Sequence, residues 1–377
     1  NLNEGIKNIG QYAFASINTY SDNYLRNSSY QYTYSVLENI NLPSTLVNIA
    51  DFAFYNCQKL DSVEIPGSVT AIGNYGFYNC KKLYTNVGTG VVTVGDYSFA
   101  NCTSLDNQDF SSELTTIGAG AFSGCTAFTE INLPSNITSI GNYAFSGCNK
   151  VTKIQIEEGL KTIGSYAFKD INKVTNLIIP TTVTSMGAGL FSGMSALEEL
   201  TIPFVGRDKN IYTTANVSYV DEAYYHYPLG YMFGTASYSG GVQVKQYISK
   251  DYLDSSISNK FTTYMYSTAD YYIPSTLKTV NVTNSTYIFS GAFSYILSTS
   301  TTSTTLSESP LKITNINLNE GIKNIGQYAF ASINIYNTND SYLTNSKYQY
   351  KYSVLENINL PSTLTDIAYA AFYNCQK

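Results

Sequence analysis

The fold is decided by a stretch that reads FTEINLPSNITSIGNYAFSGC, residues 128–148. Its apolar residues are spaced at intervals of 3, 2, 4, 3, 5 and 3, at Phe128, Ile131, Leu133, Ile137, Ile140, Phe145 and Cys148. The same series follows from Val151 to Ile171. A step of two is typical of an extended segment, whereas steps of three to five turn the chain. The pattern therefore predicts short strands joined by turns, with all of these side chains pointing into one interior.

The phrase recurs along the chain with a nearly constant period. The Phe that closes Ile-Gly-x-x-x-Phe, or a close variant, recurs at spacings of 23, 22, 23, 23, 23 and 23, at Phe54, Phe77, Phe99, Phe122, Phe145, Phe168 and Phe191. A fixed period of 20 to 50 residues indicates a solenoid, in which each coil buries its apolar face against the next. We therefore expect one short strand per coil, paired parallel with its neighbours, and little α-helix.

Glycine follows the later Ile or Val of most coils. These residues are Gly10, Gly73, Gly95, Gly118, Gly141, Gly164 and Gly326. Two explanations are open: φ is positive there, or the backbone of another coil lies close. Ala50 and Ala368 occupy the same position and argue against a positive φ in their coils.

Composition excludes several functional classes. Only 13% of the residues are charged, the net charge is −6 and no Lys/Arg cluster is present, so nucleic acid is not an expected partner. No apolar run reaches the roughly 18 to 20 residues of a membrane helix. The one histidine, His226, leaves little equipment for hydrolytic triads or His-based metal sites.

Residues 131–148 resemble the BspA-type leucine-rich repeat, whose consensus runs L-x-x-I-x-I-P-x-x-V-x-x-I-G-x-x-A-F-x-x-C. Seven coils from Leu37 to Met194 match it. The resemblance implies a leucine-rich repeat solenoid, a β-rich right-handed superhelix of stacked coils with parallel short strands. It also implies a bacterial secreted or surface-anchored protein that adheres to host proteins, host cells or other microbes. The family offers no catalytic residues and no fixed ligand-contact motif.

Cysteines recur at the coil period, three residues after the Phe. They are Cys57, Cys80, Cys102, Cys125 and Cys148, with Cys375 in the same register. Adjacent coils would bring their Cα atoms within disulfide range, about 5 Å. Other coils place Ile or Met at this position, however, and five consecutive thiols cannot all pair among themselves. Buried free thiols are favoured over disulfides, and a metal site is the least favoured because zinc needs four convergent ligands.

Other residues that could carry chemistry have simpler explanations. His226 lies in a Tyr-rich segment and is interpreted as a loop or packing imidazole. The acidic pairs are interpreted as solvated charges, because neighbouring residues point apart and cannot flank a glycosidic bond. These pairs are Glu157-Glu158, Glu198-Glu199 and Asp221-Glu222. We predict no catalytic residue, cofactor or metal.

Tyrosine is concentrated where the coil pattern is interrupted. Segments 18–36, 204–276 and 335–354 hold 23 of the 36 Tyr. Residues 30–36 alternate strictly and predict a hairpin with 19–25. Tyr combines a large apolar area with a hydroxyl, which suits a binding surface. The candidate ligand-contact residues are Tyr30, Tyr32, Tyr34, Tyr224, Tyr225, Tyr227, Tyr348, Tyr350 and Tyr352. The alternative is that each Tyr row covers its own hairpin.

Residues 1–18 are identical to 317–334, and the match resumes with few changes between 36–59 and 354–377. We predict one solenoid over 1–377, with regular coils at 37–203 and insertions at about 18–36, 204–228, 235–272, 297–311 and 335–354, as a portion of a longer protein. The predicted function is a non-enzymatic, cell-surface or secreted binding module. It would recognise a host or microbial surface protein or a glycan through its concave strand face and Tyr-rich insertions. The alternative is a structural spacer or self-assembling surface repeat.

Overall fold

A computed structural model describes residues 2–16, 36–209, 227–254, 260–298, 311–335 and 353–375. The chain divides into two units, Asn1–Ile171 and Asn172–Lys377. The described residues contain one short 3₁₀-helix, Leu229–Met232, and no α-helix. The expected β-rich leucine-rich repeat fold is thus present in both units.

The described residues of the first unit form nine short strands. They are β1 Asn8–Ile9, β2 Asn48–Ile49, β3 Ala71–Ile72, β4 Thr93–Val94, β5 Thr116–Ile117, β6 Glu130–Leu133, β7 Ser139–Ile140, β8 Lys153–Ile156 and β9 Thr162–Ile163. The seven two-residue strands form a parallel sheet in the order β1-β2-β3-β4-β5-β7-β9. Strands β6 and β8 pair parallel, with Ile131 opposite Ile154. A coil therefore offers two strand positions rather than the single one that we expected.

In the described coils before β6, the position of the longer strand forms no regular strand. Polar side chains supply hydrogen bonds there. The buried Gln108 accepts a hydrogen bond from the Val87 amide at 2.9 Å and donates to the Thr85 carbonyl at 3.1 Å. Asn107 Oδ1 likewise accepts from the amides of Thr129 and Glu130. These side chains form the bonds that a backbone ladder would otherwise make.

The second unit holds the remaining strands. They are β10 Asn176–Ile178, β11 Ser185–Met186, β12 Glu199–Ile202, β13 Gly241–Asp254, β14 Lys260–Pro274, β15 Thr279–Val282, β16 Tyr287–Ile288, β17 Tyr295–Ser298, β18 Asn315–Leu318, β19 Asn324–Ile325, β20 Ser332–Ile335, β21 Asn357–Asn359 and β22 Asp366–Ile367. Strands β10-β12-β15-β18-β21 form a parallel sheet, and β16-β19-β22 a second one. A long antiparallel hairpin, β13–β14, joins a third sheet in the order β14-β13-β17-β20. This hairpin occupies the predicted 235–272 insertion.

The interior is built from the periodic apolar positions. The Phe of successive coils lie one above another, with Phe54 and Phe77 rings 4.9 Å apart and Phe99 and Phe122 rings 5.5 Å apart. All of the apolar residues quoted from 128–148 are buried, and in the next coil Ile156 alone is half-buried. Each Phe adds apolar area worth roughly 1.5–3 kcal/mol when buried.

At coil glycines such as Gly118 and Gly326 the backbone of the preceding coil lies close and φ is not positive, whereas Ala50 and Ala368 stand at the same register in other coils. A Cβ on Gly118 would lie 2.6 Å from the Asp96 amide nitrogen of the preceding coil, and one on Gly326 would lie 2.5 Å from that of Ser290. Neither residue has φ in the left-handed region. We call the stacked Phe of each coil the ladder Phe. Left-handed backbone occurs instead two residues before and two residues after it, as at Tyr75 (φ 55°) and Asn79 (φ 58°) around Phe77.

Candidate functional site

A row of aromatic side chains lies on the turn that precedes each ladder Phe. The residue two positions before that Phe has φ between 53° and 58° at Tyr12, Phe52, Tyr75, Tyr97, Tyr143 and Tyr166. Bulky residues rarely adopt this conformation. It is held by coil-to-coil hydrogen bonds: the Tyr75 amide donates to the Asp96 carbonyl at 2.8 Å, and the Phe77 amide to the Ser98 carbonyl at 2.7 Å.

We call Tyr12, Phe52, Tyr75 and Tyr97 the first aromatic row. Their successive ring centroids are 4.8, 4.9 and 5.2 Å apart, with interplanar angles of 17°, 5° and 14°. Such near-parallel contacts at this separation are favourable aromatic geometry. Tyr12 is 43% exposed, and the residues Phe52, Tyr75 and Tyr97 are half-buried. The row therefore presents ordered rings at the surface of the first unit.

A second aromatic row, Tyr55 and Tyr78, lies beside the first. Its rings are 5.1 Å apart and nearly parallel. It meets the first row at an incline, because Phe52 and Tyr55 make an angle of 56° and Tyr75 and Tyr78 one of 59°. Together the two rows form one aromatic surface with two differently oriented sets of rings.

Two phenols of this surface, Tyr55 and Tyr75, stay neutral at physiological pH. Burial, followed by the neighbouring phenols Tyr78, Tyr75 and Tyr12, raises the pKa of Tyr55 above its ordinary value of 10. Burial, followed by Tyr97, Tyr78 and Asp96, raises the pKa of Tyr75. Neutral phenols both donate and accept hydrogen bonds.

Polar residues run along one side of the first row, each directly before a ring. Asp51 Oδ1 accepts from the Asn74 amide at 2.6 Å, and Asn74 Oδ1 accepts from the Asp96 amide at 2.7 Å. Asp96 Oδ1 accepts in turn from the Ala119 amide at 2.7 Å. This side-chain ladder fixes the two carboxylates against the backbone of the following coil, and Asp96 is exposed.

The first row ends at Gly120, which occupies the same register. The ring of Tyr97 fills the space that a Cβ on Gly120 would need. Tyr143 and Tyr166 resume the register, with rings 5.0 Å apart. There the second row is absent from the sequence, since Ser146 and Lys169 stand at its positions, and the preceding residues Asn142 and Ser165 are uncharged.

The duplicated segment provides an internal comparison. Residues 36–59 and 354–377 differ at four positions, and two of these differences fall on the aromatic surface: Asp51 corresponds to Tyr369, and Phe52 to Ala370. Ala370 keeps the left-handed φ of 55°. Tyr369 makes an edge contact with Tyr328 at 6.1 Å and 89°. The copy thus keeps the backbone but has neither the ring of the first row nor the carboxylate.

The cysteines are free, as we predicted, and five of the six are buried. Each Sγ donates to the carbonyl of the preceding coil's ladder Phe, as from Cys102 to Phe77 at 3.1 Å and from Cys148 to Phe122 at 3.3 Å. Burial raises the pKa of Cys102 and of Cys148 to about 12. These thiols are therefore protonated and chemically inert.

Most of the predicted contact residues lie outside the described residues. These are Tyr30, Tyr32, Tyr34, Tyr224, Tyr225, Tyr348, Tyr350 and Tyr352, and His226 lies there too. Tyr227 is described: it is half-buried and its ring stacks on Tyr231 at 4.2 Å and 21°. The two aromatic rows are not among the contact residues predicted from the sequence. The signal was present in the recurrent Tyr two residues before the ladder Phe.

Comparison with known proteins identifies the family. The sequence profile of the BspA type leucine rich repeat region matches six copies, over residues 23–127, 92–216 and 255–377. The chain belongs to the BspA-type leucine-rich repeat family. A search of curated proteins found no significant relative.

This BspA-type chain is similar to several solved structures, and the first of them shows its fold. A leucine-rich repeat protein from Bacteroides ovatus matches with 22% identity and a TM-score of 0.53, over 97% of this chain and 73% of its own. The leucine-rich repeat protein of T. pallidum matches with 28% identity and a TM-score of 0.38, over 42% of this chain and 77% of its own. A leucine rich cell surface protein from Faecalibacterium prausnitzii matches with 20% identity and a TM-score of 0.43, over 90% and 79%.

The described part of this BspA-type chain shows no constellation that suggests metal binding, since no group of three or more His, Cys, Asp or Glu could hold an ion there. In the same residues, no helix is long and apolar enough to cross a membrane. Glu157 and Glu158 are exposed, and Glu199 accepts from Asn281 Nδ2 at 2.8 Å. Asp221 and Glu222 lie outside the described residues.

Proposed function

We propose that this chain is a non-enzymatic binding module of a secreted or surface-exposed protein. It recognises a protein or a glycan through ordered aromatic side chains. The observation that carries the proposal is the pair of aromatic rows on the first unit. The rings are already held in place by stacking and by left-handed backbone, so binding would order few additional side chains. Tyr also gives contact area and hydrogen-bonding groups at a low entropic cost.

Several features support a binding role over catalysis. The buried thiols are protonated, and the described acidic pairs are exposed or hydrogen-bonded within the sheet. Membership of the BspA-type family supports a place outside the cell. The Tyr-rich insertions and the strand face, with exposed residues such as Asn132 and Gln155, are further candidate contact surfaces.

The proposal is tested by screening the intact chain against immobilised matrix proteins and a glycan array. For any partner found, the double variant Tyr75→Ala with Tyr78→Ala should weaken binding by about tenfold or more, since aromatic anchors dominate interfaces. Tyr143→Ala is the matched control, because Tyr143 is 40% exposed at the same register and lacks the second row. Ala370 shows that Ala is compatible with the left-handed backbone.

Deletion of 18–36 and 335–354 tests the insertions in the same assay. Loss of binding on deletion with no effect of the Tyr75 and Tyr78 changes would move the site to the insertions. If the intact chain binds none of the screened partners and associates laterally at high concentration, the spacer or self-assembly alternative is favoured.

A further inference from the structure

The aromatic surface carries a chemical preference that the general binding role does not specify. Two acidic residues, Asp51 and Asp96, directly precede the ring residues Phe52 and Tyr97, and Oδ1 of each accepts an amide hydrogen bond from the following coil. The Tyr75 amide donates to the Asp96 carbonyl at 2.8 Å, so the backbone of Asp96 lies against the turn that carries Tyr75. Aromatic faces and carboxylates together attract Lys and Arg side chains through cation–π contacts and charge-assisted hydrogen bonds. The surface is therefore complementary to a cationic partner.

The spacing of the carboxylates selects a conformation for that partner. Asp51 and Asp96 are two coils apart, with Asn74 between them. At about 4.8 Å per coil this is roughly 10 Å. A polyproline II segment returns to the same face every three residues, after about 9.3 Å. An extended strand returns after about 6.8 Å or 13.6 Å and matches less well.

The rings supply the other half of the fit. Proline-rich segments dock on surfaces lined by aromatic side chains. Their backbone carbonyls have no internal partners, so they accept hydrogen bonds from groups such as the phenols of Tyr75 and Tyr78. The angles of 56° and 59° between the two rows give ring surfaces in two orientations, onto which successive prolines can pack.

We propose that the two aromatic rows, with Asp51 and Asp96, bind a basic proline-rich segment of a partner protein in the polyproline II conformation, with Arg or Lys at every third position. The inference rests on the proposed binding function and names the partner of its aromatic surface. The duplicate of this segment, in which Tyr369 and Ala370 replace the carboxylate and the ring, does not meet the requirement.

The test uses synthetic peptides and the intact chain. The probe is a peptide of about three Arg-Pro-Pro repeats, and binding is measured by fluorescence anisotropy. Three comparison peptides separate the contributions: Glu-Pro-Pro repeats reverse the charge, Arg-Gly-Gly repeats remove the polyproline preference, and an Ala-rich helix carries Arg on one face. We expect the Arg-Pro-Pro peptide to bind about tenfold or more tightly than each of them.

Variants of the chain locate the site. Asp51→Asn with Asp96→Asn, and Tyr75→Ala with Tyr78→Ala, should each weaken the Arg-Pro-Pro peptide about tenfold. Asp51→Tyr with Phe52→Ala, which reproduces the chain's own duplicate at these two positions, should do the same. Tyr143→Ala should leave the affinity within about twofold. Circular dichroism of each variant checks that it is folded.

Equal binding of Arg-Pro-Pro and Arg-Gly-Gly repeats would overturn the inference in favour of simple charge attraction, and tighter binding of the helical peptide would overturn it in favour of a helix. Binding that is unaffected by the Tyr and Asp variants, or no binding of the probe, would also overturn it. The proposed binding function is tested independently of this inference. It stands, even if the proline-rich partner is wrong, when the Tyr75 and Tyr78 changes abolish binding to a glycan or another protein found in the screen.

Discussion

At Tyr75 a bulky side chain sits on backbone with φ of 55°. Such a residue costs on the order of 1–3 kcal/mol unless its surroundings impose the conformation. Here the Tyr75 amide bonds to the next coil, and the ring lies between Phe52 and Tyr97 at 4.9 and 5.2 Å. Hydrogen bonding and stacking therefore offset the strain, and both act along the stacking direction.

The coil glycines give a residue-scale prediction about close approach. Gly118→Ala should destabilise the first unit by about 2 kcal/mol or more, because its Cβ would overlap the Asp96 backbone. Gly10→Ala is the matched control: it has the same register, and a Cβ there meets nothing within 4 Å. Urea unfolding of both variants checks this. Equal stability of the two variants would contradict the close-approach explanation.

The thiols give a second prediction. Because Cys102 and Cys148 are buried and their pKa is raised to about 12, they should not react with Ellman's reagent in the folded protein at mildly alkaline pH. The half-buried Cys375 should react first, and all six should react in denaturant. Rapid reaction of all the thiols without denaturant would show that the stacked coils open readily.

At the scale of elements, the β13–β14 hairpin pairs with β17, and the buried side chain of Gln246 connects it further to the coils. Gln246 is fully buried; its Oε1 accepts from the Gly230 amide at 2.8 Å, and its Nε2 donates to the Ser294 carbonyl at 2.6 Å. The side chain thus connects the 3₁₀-helix, β13 and the turn before β17.

Replacing this residue should loosen the hairpin. Gln246→Leu leaves a buried amide and a buried carbonyl without a partner, which costs about 1–3 kcal/mol. Gln243→Leu is the control, since Gln243 lies exposed on the same strand. Faster hydrogen exchange and proteolysis of the hairpin are expected for Gln246→Leu alone. Equal protection in both variants would show that the hairpin is held by other contacts.

The repeated coils were largely predictable from the sequence, but the aromatic rows were not. The coil period, the ladder Phe and the free Cys follow from the spacing of apolar residues, because burial at a fixed interval leaves a direct trace in the sequence. The aromatic rows do not follow from it, because left-handed backbone at Tyr75 or Phe52 contradicts ordinary conformational preference. Coil-to-coil bonds impose that conformation, and they become visible only once neighbouring coils are stacked. The Tyr excess by itself therefore predicts contact residues in the insertions alone.

At the scale of the whole molecule, the polar groups are mostly uncharged, and titration matters chiefly at high pH. Burial raises the pKa of Tyr55, Tyr75, Tyr328, Tyr238 and Tyr271 above their ordinary value, and the pKa of Cys102 and Cys148 to about 12. The folded chain thus holds these protons more tightly than the unfolded chain, whose groups ionise near pH 9 to 10.

The sign of the effect follows from this difference. The stabilisation is fully present below the unfolded pKa values, and it is lost as the pH rises through about 9 and approaches the folded values. The melting temperature should therefore be level near neutrality and fall progressively above about pH 9 to 10. Tyr55→Phe with Tyr75→Phe keeps both rings but removes two ionisable groups, so its melting temperature should fall less steeply. Thermal unfolding across the pH range, followed together with tyrosinate absorbance, checks both statements. A melting temperature that stays level while the tyrosines ionise would show that their burial contributes nothing to the alkaline stability of the chain.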